Sequence, residues 1–236
     1  MSEPQAIPSP PVASRSHTIG LLIIIAAWAW VGVITAAKLR AHTGPPLIVF
    51  YWAAAIFEWL IAAYVVVGVR RQGGSLRELI GGSWERGRDF WRDVLVALVF
   101  WLVALGCLGA LRFALRVNRG ADAVRFVAPQ SKVEMISWMF VSLTAGFCEE
   151  TIFRGYLQRQ FLAWSGKPTL GILLSAIVFG LVHAYQGAKQ SLIIGVFGAL
   201  LGILAYRRRS LRPGIMVHAW HDTIFGLAMH FLPQQA

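Results

Sequence analysis

Charge is scarce in this sequence. Asp, Glu, Lys and Arg together make up 14% of the 236 residues, against roughly 25% in an average soluble domain. Apolar residues make up 57%, in runs longer than a soluble core requires. A soluble domain is thereby excluded. Cysteine is nearly absent too. Cys107 and Cys148 both lie inside apolar runs, which gives no disulfide framework and no zinc-ligand spacing. Acidic residues number 11 against 22 basic ones, for a formal charge of +11. Such a charge can mark nucleic-acid binding. Here the basic residues sit in short segments between apolar runs, where they set topology and meet anionic lipid. The lipid bilayer is the expected partner, and nucleic acid is not.

The chain reads as an all-α polytopic membrane protein with about seven transmembrane helices. Residues 1–17 hold Pro4, Pro8, Pro10 and Pro11 among small polar residues, the composition of a disordered tail. Residues 18–233 form the expected integral membrane domain. Its apolar runs cover 19–37, 47–69, 94–115, 133–164, 169–185, 191–206 and 214–232, with no internal repeat. The first run is long for a signal-peptide core, which favours a retained anchor; cleavage after Ala36 or Ala37 is the alternative. Residues 116–132 are basic and mixed, as in an amphipathic helix lying on the membrane. With seven spans, the N-terminal side collects more Lys and Arg than the other. That predicts a cytoplasmic N-terminus.

An ionisable group at the bilayer centre costs about 2.5–3.5 kcal/mol on insertion scales, so such residues are functional candidates. One, Glu58, lies near the middle of the second run. The others cluster in the second half. Glu149 and Glu150 are consecutive, so on a helix their side chains diverge by about 100°. Glu150 and Arg154 are four apart and share a face, which permits an ion pair and leaves Glu149 free. His183 ends the stretch from Phe179. His218 and Asp222 are again four apart, and an Asp can fix a histidine's tautomer and orientation. His221 is offset and reads as structural; His230 reads as interfacial.

Hydrolysis by an activated water needs a base near the attacked carbonyl and donors for the oxyanion. This inventory supplies both. It also fits a proton-coupled small-molecule transporter with Glu and His relays, or a non-catalytic membrane scaffold. Other intramembrane protease chemistries lack their signatures: there is no His-Glu-x-x-His zinc helix, no Gly-x-Ser-x-Gly elbow and no Gly-x-Gly-Asp. A glutamate-centred site remains.

Three motifs then stand in order. Glu149-Glu150-Thr151-Ile152-Phe153-Arg154 resembles the Glu-Glu-x-x-x-Arg motif of the CAAX prenyl protease and bacteriocin-processing family, also called the Abi or type II CAAX protease family. Phe179 to His183 resembles its Phe-x-x-x-His motif, and His218 to Asp222 its His-x-x-x-Asn/Asp motif. The resemblance covers roughly 135–230. It implies a helical membrane protease acting on a membrane-associated or lipidated peptide or protein, and the chain is expected in the plasma (inner) membrane of a prokaryote. It further implies that Glu149 and His183 activate a water, that His218 and Asp222 support the tetrahedral intermediate, and that Glu150 and Arg154 organise the site. No cofactor is required in this reading. Zinc held by His183, His218 and His221 with Glu149 is the alternative, since the family was first classed among metalloproteases. One departure matters. Some members carry Asn at the position of Asp222, and an ionised Asp cannot donate to an oxyanion. Either Asp222 carries a proton in its apolar site or, as the preferred expectation, it orients His218.

Overall fold

The computed structural model describes residues 10–117 and 125–231. Among these residues the chain is helix and turn with no strand. The helices are α1 Arg15–Arg40, α2 Leu47–Arg71, the short α3 Leu76–Ile80, α4 Gly87–Ala114 and α5 Lys132–Glu149. A π-helical segment, Glu150–Leu157, joins α5 to α6 Gln158–Ser165. Then come α7 Pro168–Val182, a 3₁₀ turn Ala184–Gln186, α8 Ala188–Arg208 and α9 Arg212–Phe231.

Where they are described, the seven apolar runs are mostly helical. By length and composition α1, α2, α4 and α8 can each cross a membrane, and α7 is a shorter apolar helix. Their outer faces carry large apolar side chains: Ile23 is 63% exposed and Leu60 62%. Hydrocarbon is the solvent that suits such a surface, and helices satisfy their backbone internally there.

Local chemistry sets the ends. Ser14 caps α1 by accepting from the backbone N–H of His17. Ser131 and Glu134 form a reciprocal capping box at the start of α5. Gly166, at φ 66°, takes the left-handed conformation that ends α6. The fifth run stops earlier than its hydrophobicity predicts. Helix α7 ends at Val182, because His183 leaves helical geometry and the chain turns through 184–186 to Gly187.

The expected N-terminal tail divides. Residues 1–9 lie outside the described residues. Val12 and Ala13 donate their backbone N–H groups to Gln160 Oε1 at 2.9 and 3.2 Å, and Gln160 Nε2 donates back to Ala13 O at 2.9 Å. Residues 118–124, in the segment expected to form a surface helix, also lie outside the described residues, as does Leu232.

The two larger apolar clusters hold most of the bundle. One joins α1, α2, α3, the π-helical segment, α6 and α7 around Val65, Tyr156, Leu157 and Phe179. The other joins α4, α8 and α9 around Ala97, Phe197, Leu201 and Val217. Small residues let the site-bearing helices approach. A Cβ on Gly146 of α5 would lie 2.9 Å from the Cβ of Ala219 on α9, and one on Gly180 of α7 would lie 2.8 Å from Ser191 O on α8. Trp138 on α5 donates from Nε1 to Asp222 O on α9 at 2.9 Å, which fixes the register of the two helices. At the opposite edge, buried Asp93 on α4 holds Arg208 and Arg212 at 3.3 and 3.0 Å and accepts from Trp84 at 3.0 Å.

Candidate active site

The polar residues singled out from the sequence converge. Glu149 stands at the last residue of α5, and the π-helical turn begins directly after it. In that turn the N–H of Gln158 reaches Phe153 O, five residues back, and such bulges cluster at functional sites. Glu150 and Arg154 pair within the turn, Arg154 Nη1 donating to Glu150 Oε1 at 2.7 Å. Both are buried, at 0% and 2% exposure. The guanidinium also lies over the ring of Phe179, 4.2 Å from its centroid.

Glu150 reaches across to α9. His218 Nδ1 lies 2.9 Å from Glu150 Oε1. A carboxylate held by a guanidinium only accepts, so the ring nitrogen is the donor. That leaves His218 Nε2 directed at two other carboxylates, 3.6 Å from Glu149 Oε2 and 3.5 Å from Asp222 Oδ2. Both separations exceed a direct N–H···O hydrogen bond. The sequence reading gave the orienting of His218 to Asp222. In the structure the short hydrogen bond of the ring goes instead to Glu150, which accepts it. The i,i+4 spacing brings Asp222 to the same imidazole, but on its opposite nitrogen.

His183 donates from Nδ1 to Phe179 O at 2.9 Å, one turn back on its own helix. Its other nitrogen is left for the space in front of it. Phe179 touches both imidazoles, at centroid distances of 4.9 Å to His183 and 5.8 Å to His218.

Glu149, His183, His218 and Asp222 all line one cavity of about 320 Å³ between α2, α4, α5, α8 and α9. Glu150 and Arg154 do not line it; they sit behind His218. His221 lines it too, with its ring 4.8 Å from that of Phe197 and stacked at 6.0 Å on Phe225. His230 stands apart, bonded to Pro129 O at 2.9 Å.

Several cavity residues were given no role in the site by the sequence reading. Glu58, on α2, lines the cavity, and its Oε2 is buried with no hydrogen-bond partner among the described residues. Its place in mid-run was the signal available. Arg112 of α4 donates to Gln190 of α8 at 3.2 Å along the wall. Tyr185, in the turn after His183, accepts from Gln186 Nε2 at 2.9 Å, so its own hydroxyl hydrogen is left to donate.

Among the described residues no three His, Cys, Asp or Glu side chains gather in a way that could hold an ion. His218 Nδ1 is engaged by Glu150, and His183 Nδ1 by its own helix.

Fold and site together define an all-helical membrane protein with a carboxylate–imidazole centre enclosed by its helices. Residues 131–224 match the family model described as type II CAAX prenyl endopeptidase Rce1-like. The matched segment, 94 of the 236 residues, contains all three motifs. Over that segment the chain is similar to a type II CAAX prenyl endopeptidase. Nothing among curated proteins and nothing among solved structures matches the chain.

Proposed function

We propose that this protein hydrolyses a peptide bond of a membrane-associated or lipidated peptide, using a water activated by Glu149 and His183. The supporting observation is the convergence of Glu149, His183, His218 and Asp222, from three separate motifs, on one cavity among apolar helices. Glu149 is the base. Its Oε2 is buried and carries no hydrogen bond among the described residues, so it is free to take a proton. The unprotonated nitrogen of His183 holds the same water. The carbonyl oxygen that becomes an oxyanion lies towards His218 and the hydroxyl of Tyr185. Glu150 and Arg154 fix the His218 ring from behind, and Asp222 flanks its Nε2. The chain works without a metal, in the plasma (inner) membrane of a prokaryote, with its N-terminus in the cytoplasm.

The test uses purified protein in detergent with a quenched, farnesylated peptide ending in a CAAX sequence. In parallel, the protein is co-expressed with small membrane-bound precursors, and mass spectrometry reads new termini. Wild-type protein is expected to generate a defined product. Glu149→Gln is expected to lose about 10²–10⁴-fold in rate, the usual cost of removing a general base. Cleavage by Glu149→Gln at the wild-type rate would remove Glu149 from the mechanism.

A further inference from the structure

Arg112 has no part in the scheme above. It lies on α4, outside the matched segment 131–224, so the family match assigns it nothing. It lines the same cavity as Glu149, His183, His218 and Asp222, and it is the only Lys or Arg among the described residues that do. Its Nη1 donates to Gln190 Oε1 at 3.2 Å, and Gln190 lines the cavity beside it. Gln190 is neutral. Among the described residues no ion pair reaches Arg112, whereas Arg154, Arg208 and Arg212 each have a carboxylate within 3.3 Å.

A cation in the last turn of a helix suits the carbonyl end of that helix. An arginine with that role alone would extend to the headgroups. Arg112 instead turns its guanidinium to the cavity wall and to α8. An unpaired cation among apolar helices is costly to keep. The guanidinium has five N–H donors in a planar fork, and Gln190 accepts from one of them. That fork matches the two oxygens of a carboxylate.

The distance to the reacting groups follows from α8. Gln190 and Phe197 are seven residues apart on this helix, which is about 10 Å at the usual helical rise. The Phe197 ring lies 5.8 Å from that of His218. Arg112 therefore stands on the order of 10 Å from His218 along the cavity, a span that roughly three extended residues cover. The wall otherwise carries the carboxyls of Glu58, Glu149 and Asp222. An anion on the substrate is held at Arg112 and kept from those three, which fixes the direction in which the peptide lies.

We propose that Arg112, with Gln190 beside it, is the subsite for a carboxylate of the substrate, roughly three residues from the bond that is cut. The role rests on the peptidase reading above. Two N–H groups of the guanidinium hold the two carboxylate oxygens, and Gln190 Nε2 adds a donor. The carboxylate is the C-terminus of the peptide or the side chain of an Asp or Glu. No bond is made or broken at Arg112; it sets where the peptide is cut.

Matched peptides test this. The farnesylated peptide with a free C-terminus is compared with its C-terminal amide, and with an amide whose last residue is Glu. Wild-type protein should cleave the free acid with a kcat/KM about 10-fold or more above the plain amide, most of it in KM, the scale of a hydrogen bond to a charged group. Arg112→Gln should bring that ratio close to 1. Arg112→Lys keeps the charge without the fork and should keep part of the preference. A wild-type ratio near 1 refutes the subsite. So does a ratio that survives Arg112→Gln, since a mere strut between α4 and α8 would lower acid and amide together. The Glu-ended amide separates the sources. If it is cleaved like the free acid, and loses this in Arg112→Gln, the subsite takes a side-chain carboxylate as well. If it is cleaved like the plain amide, the subsite is for the chain terminus.

Binding gives a readout that needs no turnover. An unprenylated tripeptide with the same C-terminal sequence, and its amide, are added to wild-type and Arg112→Gln protein in detergent. The acid should raise the wild-type melting temperature more than the amide does, and Arg112→Gln should abolish the difference. If wild-type protein cleaves no peptide, the peptidase reading fails and the melting shift alone decides. An Arg112-dependent preference for the acid then keeps the subsite, and its absence removes it.

Discussion

Glu150 and His218 are joined by a 2.9 Å hydrogen bond from the ring Nδ1 to Oε1, and the same oxygen receives Arg154 Nη1 at 2.7 Å. One carboxylate oxygen thus ties the π-helical turn after α5 to α9. The cavity side chains depend on this link, since it fixes which nitrogen of His218 faces Glu149 and Asp222.

Removal of Arg154 therefore affects folding as well as function. With the guanidinium gone, Glu150 is a buried carboxylate with only an imidazole for company. Breaking a buried pair of this kind costs about 3–5 kcal/mol. Arg154→Ala should show a lower melting temperature, lower yield and lost activity. A stable but inactive Arg154→Ala protein would instead assign the guanidinium to substrate binding.

Asp222 separates two roles that the sequence left together. Its Oδ2 is 3.5 Å from His218 Nε2, and its side chain is 32% exposed, so it both flanks the ring and meets the cavity. Asn can accept through its carbonyl and donate through its amide. Asp222→Asn should keep a substantial part of the activity, and Asp222→Leu should lose most of it. Steady-state kinetics on the farnesylated peptide will rank them. If Asp222→Asn is as inactive as Glu149→Gln, the negative charge itself is required, and Asp222 is a second base or a metal ligand.

Periodicity and charge carried a good part of this structure. The apolar runs became helices, and the i,i+4 spacing of Glu150 and Arg154 became an ion pair. The spacing of His218 and Asp222 brought the carboxylate beside the imidazole. What stayed hidden depends on tertiary contacts. The π-helical turn at 150–157 leaves no periodic trace over eight residues. The choice of Glu150 as the partner of His218 Nδ1 spans 68 positions, and local spacing pointed to the nearer Asp222. Glu58 was visible as a charge in an apolar run, but only the packing of α2 against α5 brings it to the cavity.

Metal dependence can be checked directly. His183 and His218 each spend one nitrogen on a protein oxygen, and His221 is stacked between Phe197 and Phe225. Among the described residues no three His, Cys, Asp or Glu side chains gather to hold an ion. Chelators should leave cleavage of the farnesylated peptide unchanged, and elemental analysis of active protein should find no stoichiometric zinc. Activity lost to a chelator and restored by zinc would require the imidazoles to rearrange and would overturn the metal-free scheme.

The last prediction concerns the contact that brings α9 to α5. Gly146 faces Ala219, and a Cβ there would sit 2.9 Å from both the Ala219 Cβ and its backbone nitrogen, and 3.0 Å from Ile215 O. Two of those three atoms are backbone, so no side-chain rotation relieves the clash. The helices must separate instead. His218 lies next to Ala219, so separation draws its ring away from Glu149 and Glu150 together. Overpacking of this kind costs about 1–3 kcal/mol. Gly146→Ala should lower both the melting temperature and kcat. Gly106 on α4 is the control: nothing lies within 4 Å of its added Cβ, and Gly106→Ala should change stability by no more than about 0.5 kcal/mol. Thermal melts and kcat for the two variants, measured side by side, test the packing. If Gly146→Ala matches Gly106→Ala in both readouts, α9 is not held against α5 at this contact, and the spacing of His218 from the two glutamates must be set elsewhere.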